Sequence, residues 1–162
     1  MPDADWTLTR YRAGIQIATP MGRFSLNAED GRIGGDCTAM DAFHLGGLNA
    51  GLVPMSLDMN RIQQAALPGY QQVGDRMRKI RASYGHVGYL YYERAAVWFS
   101  DAGAKEYLRV AGAELKLEDL PALAQLRSVL GHGLSFSLGL HRPLDGEMKN
   151  RTVFTVNFLL KM

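Results

Sequence analysis

The segment Tyr70–Tyr84, YQQVGDRMRKIRASY, reads as one amphipathic helix. Val73, Met77, Ile80 and Tyr84 recur at i, i+4, i+7 and i+11, a helical period that sets all four on one face. Arg76 and Arg81 flank that face, while Arg78 and Lys79 point away from it. Four cations against the single acid, Asp75, give the segment a local charge of +3. The apolar stripe is expected to dock on a sheet and to leave the basic face to water or a partner.

Working outward, Pro68-Gly69 breaks the chain before this helix and Gly85 ends it. Upstream, Ser56 or Asp58 caps a second helical segment with Leu57, Ile62, Ala65 and Ala66 on its apolar side. Asp30–Gly51 carries Gly31, Gly34, Gly35, Gly46, Gly47 and Gly51. Each glycine costs a helix about 1 kcal/mol, so this region is predicted to be loop with at most a helical turn near Thr38–Leu45. Before it, Thr7–Thr19, the turn Thr19-Pro20-Met21-Gly22, and the alternating Phe24 and Leu26 predict an N-terminal hairpin.

Downstream, His86–Ser100 is strongly β-like on both faces, as one bent strand or as two strands with Glu93-Arg94 between them. Ala104, Tyr107, Leu108 and Ala111 predict a short helix capped by Ser100 or Asp101 and stopped by Gly112. Ala113, Leu115 and Leu117 alternate as a brief strand. Asp119 opens a further helix, with Pro121 in its first turn and Leu123, Leu126 and Leu130 buried. Leu134–Leu140 and Thr152–Leu160 predict a C-terminal hairpin whose tip is the polar loop His141–Arg151, containing Asp145-Gly146. The resulting fold class is α+β: a single domain over residues 1–162, with about six or seven mostly antiparallel strands and helices packed on one face.

The 162 residues suit one domain, and 47% apolar with 21% charged residues is an ordinary globular balance. A net charge of +2 does not by itself imply nucleic acid. Cys37 is the only cysteine, so no intramolecular disulfide forms. The start MPDADWTLTR has no apolar signal core, and no apolar run reaches the ~18 residues of a spanning helix. A cytoplasmic protein, or one assembled into a particle from the cytoplasm, without membrane insertion is therefore expected.

No motif names a reaction. In a helix, Cys37 and His44 would lie about 10 Å apart along the axis, too far for a nucleophile with its base or for one zinc. HExxH, CxxC, GxSxG and GxxxxGK[ST] are absent, and no catalytic, metal or cofactor site is assigned. The expected function is a non-enzymatic protein-binding or assembly subunit, such as a phage-particle or secretion-machine component, an immunity protein or an adaptor. Its contacts, including self-association into an oligomer, are assigned to Arg76, Arg78, Lys79 and Arg81, to Gly34, Gly35, Gly46 and Gly47, and to Asp145. The alternatives are a nucleic-acid module using the basic helix, with weak and nonspecific binding, and an enzyme whose site is assembled from scattered residues.

Overall fold

Backbone pairing between neighbouring strands dominates the computed structural model, which describes residues 6–35, 41–46, 61–62, 70–101, 106–116, 134–146 and 148–160. In chain order the strands are β1 (Trp6–Thr19), β2 (Gly22–Gly35), β3 (Phe43–Gly46), β4 (Arg61–Ile62), β5 (Tyr70–Gly74), β6 (Arg76–Gly85), β7 (Gly88–Trp98), β8 (Leu108–Lys116), β9 (Leu134–Pro143) and β10 (Val153–Leu160). Seven of them form one sheet in the order β1-β2-β6-β7-β8-β9-β10, every neighbouring pair antiparallel. The chain segment between β2 and β6 supplies a small second sheet, β4-β3-β5.

The domain is all-β among the described residues, and the expected α+β class with helices on one sheet face is corrected. The predicted helix Tyr70–Tyr84 is β5 and β6, divided at Asp75. Its spacing explains the misreading. Ile80 and Tyr84 are four residues apart, an even step that keeps one face of a strand as well as one face of a helix. The odd step from Met77 to Ile80 is where the two periods part. Met77 is fully buried on one face of the sheet and Ile80 is exposed on the other. Strand pairing prevails because β6 is bonded on both sides, to β2 and to β7, so its backbone groups are satisfied by neighbours.

The predicted helix around Leu108 and Ala111 is likewise a strand, β8, with the same odd step between those two residues. The predicted loop Asp30–Gly51 holds the end of β2 and all of β3. Of the helix placed before Pro68, only Arg61–Ile62 is described, and it is strand. The helix from Asp119 lies outside the described residues. Both terminal hairpins form where expected, and Gly88–Trp98 is a single strand.

The small sheet sits on one face of the large one, hereafter the inner face, near the ends of β2, β6 and β7. Phe43, Leu45 and Ile62 from the small sheet meet Ile33, Met77, Ala95, Val97 and Leu108 from the large sheet, with Trp6 and Leu8 at the margin. Removing one such large side chain from water stabilises by roughly 1.5–3 kcal/mol, so this cluster is the main apolar core. Gly31 makes the close approach available. A Cβ there would lie 2.8 Å from Met77 Cγ and 2.9 Å from Phe43 Cζ. Asp75 fastens the same end, its carboxylate accepting from the Ser100 amide at 2.7 Å and from the Ser100 hydroxyl at 2.7 Å.

Gly31→Leu is expected to lift the small sheet off the large one and to cost about 1–3 kcal/mol through overpacking. Denaturant titration checks this. An unchanged midpoint would show that Phe43 does not seat over Gly31.

Candidate functional site

Successive side chains of a strand point to opposite faces. The continuous register across seven strands allows each face to be followed row by row. On the outer face, opposite the small sheet, one row runs Ile17, Phe24, Tyr84, Leu90, Ala113, Leu140 and Phe154. No residue in it is charged. Leu90 is 66% exposed and Phe154 is 63% exposed. The adjacent row runs Ile15, Leu26, Ala82, Tyr92 and Ala111 before ending in Arg142. Met21 and Phe99 aside, every exposed large hydrophobic among the described residues lies on this face. Proteins surrounded by water rarely expose a contiguous apolar area beyond a few hundred Å².

The apolar band ends in arginine. Toward the end where the small sheet sits, the same outer face carries Arg32, Arg76, Arg78, Arg94, Arg109 and Arg142. Arg78 binds Asp30 at 2.8 Å and Arg109 binds Asp145 at 2.7 Å. The Arg94 guanidinium lies 3.7 Å over the ring of Tyr107. The bonds from Arg109 hold the Asp145 carboxyl below its usual range.

The inner face has the opposite chemistry. Arg81 is its hub, reaching Glu114 at 2.7 Å and Glu93 at 3.7 Å and lying 4.2 Å over the Tyr91 ring. Lys79 reaches Glu93 at 3.1 Å, so the fully buried Glu93 carboxylate is balanced by two cations. Glu29 accepts from Arg10 and, at 2.7 Å, from Arg12. His141 is buried between Tyr91 and Thr155, its Nε2 lying 2.6 Å from Thr155 Oγ1. The Tyr91 hydroxyl and His141 Nδ1 share a hydrogen bond. Among the described residues the three buried polar ones, Ser25, Glu93 and His141, all belong to this face.

The expected basic surface is divided by the sheet. Arg76 and Arg78 are on the outer face, whereas Lys79 and Arg81 are on the inner face within the ion-pair network. The helix that carried the nucleic-acid alternative is therefore replaced by a strand whose cations face opposite ways. Gly34 and Gly35 end β2, and Gly46 ends β3 at φ 112°. Asp145 lies in the turn between β9 and β10, and Gly47 falls outside the described residues. So does Cys37, while His44 sits within β3 opposite Val73. No cluster of three metal-ligating side chains occurs among the described residues.

Glu29, Glu93, Glu114, Tyr91 and His141 escaped the sequence reading as a set. The available signal was inverted alternation, with polar residues on one strand face and apolar residues on the other, repeated from β1 to β10. No protein-family model, curated protein or solved structure matches the chain. Among the described residues no helix is long and apolar enough to cross a membrane, a criterion that does not apply to strands.

Proposed function

We propose that this chain forms the wall of a membrane-embedded β-barrel, with the outer face in lipid and the inner face lining a polar, charged interior. The observation that carries the reading is the uncharged row from Ile17 to Phe154, set against ion pairs on the reverse face of the same strands. Spanning a bilayer takes about 9–11 strand residues at a tilt, and the strands of the large sheet run from 8 to 14. From Tyr11 onward β1 is exposed on both faces, with Arg12 and Gln16 on one and Ile15 and Ile17 on the other. Water on one side and lipid on the other suits that distribution.

Lipid does not hydrogen-bond an open strand edge, so the sheet must be closed. Among the described residues β1 pairs only with β2, and β10 only with β9. Seven strands in antiparallel succession make β1 and β10 run the same way. Direct closure between them is a parallel seam. The antiparallel arrangement usual in such barrels needs a further strand, from elsewhere in the polypeptide or from another copy. The assembly role expected from sequence thus takes the form of barrel closure, and the proposed location is a bilayer in place of the cytoplasm.

Purified chain added to phosphatidylcholine vesicles is expected to remain with them through alkaline and urea washes. Leu90→Arg puts a charge in the middle of the band and should abolish this retention, since a cation at mid-membrane costs roughly 2–4 kcal/mol. A chain that stays soluble as a discrete oligomer without lipid would contradict the reading, and would mean that protein covers the apolar face.

A further inference from the structure

The outer face changes from apolar to basic within one end of the sheet. Six arginines lie there on the strand face, against the acids Asp30 and Asp145. Two pairs of these arginines are direct cross-strand neighbours, Arg32 with Arg76 and Arg94 with Arg109. Like charges placed opposite each other destabilise a sheet unless an anion lies between them. Asp145 answers Arg109, but neither Arg32 nor Arg76 has an acidic partner among the described residues.

Aromatic side chains share this border. On this face Tyr92 sits between the arginines and the aliphatic band, Tyr11 is level with Arg78, Trp98 is level with Arg76, and Arg94 stacks on Tyr107. Such rings settle at the boundary between headgroups and hydrocarbon.

We propose that this arginine rim binds the phosphate groups of anionic lipids, with Arg32 and Arg76 as its centre. The inference rests on the membrane reading above. Guanidinium groups grip phosphate oxygens through paired N–H donors. Among the described residues the rim lies at one end, which gives the barrel a preferred headgroup layer at that end.

The test compares vesicles of phosphatidylcholine alone with vesicles that also contain phosphatidylglycerol. Insertion of the natural chain is expected to be about tenfold faster with the anionic lipid. The double variant R32Q/R76Q should insert into phosphatidylcholine as the natural chain does and lose most of that gain. If the double variant fails in phosphatidylcholine, Arg76→Gln alone repeats the comparison. Adding inorganic phosphate at matched ionic strength should leave the gain in place; its loss would assign the rim to free phosphate. Equal insertion into both lipids, or a gain that persists in the variants, overturns the lipid-phosphate rim while leaving the barrel wall standing. Insertion into neither lipid overturns both.

Discussion

Alternation along a strand is the constraint on which the rest of this structure depends. A side chain at one position commits its neighbours to the opposite face, and a slip of one residue would exchange the two faces throughout. Here the faces are chemically incompatible. The inner face carries the Arg81–Glu93–Glu114 cluster and the Tyr91–His141–Thr155 chain of hydrogen bonds, while the outer face carries uncharged rows. Register is therefore specified twice over. Moving Glu93 to the outer face would strand a carboxylate away from Lys79 and Arg81, and moving Leu90 inward would crowd the polar side.

The inner face also divides along its length. Near the ends of β2, β6 and β7 it is apolar and covered by the small sheet through Phe43, Leu45 and Ile62. Beyond that cap it is polar and holds the ion pairs. A buried charge is costly taken singly, and for Glu93 the nearby Lys79 and Arg81 on the same face offset that cost in part. A cap at one end and paired charges beyond it keep the inner side structured without a second large layer. Nothing comparable covers the outer side of the described residues, and that asymmetry is what the membrane reading explains.

Much of the sheet was legible in the sequence because turns and strict alternation are local signals. The hairpin around Pro20-Met21-Gly22, the strand ending at Trp98 and the final hairpin all follow from them. The helix placed at Tyr70–Tyr84 was not, because Met77, Ile80 and Tyr84 satisfy a helical period while occupying two faces of a sheet. Charges misled in the same way. Arg76, Arg78, Lys79 and Arg81 look like one basic patch along the chain, but the odd step from Arg78 to Lys79 sends them to opposite sides. The polar network was illegible because Tyr91, Glu93, Glu114 and His141 are far apart in sequence and meet only through register. Absence of a long apolar helix pointed away from a membrane, but strands cross one with half their residues polar.

The most direct measurement is a scan of single labels along β7 in lipid vesicles, made in a Cys37→Ser background. Spin labels at Leu90 and Tyr92 should be accessible to oxygen dissolved in the hydrocarbon and shielded from a water-soluble nickel reagent. Labels at Tyr89 and Tyr91 should show the reverse or be shielded from both. A two-residue alternation between lipid and polar surroundings is the expected result. Uniform access to the aqueous reagent at all four positions would contradict it, because the apolar face would then be in water.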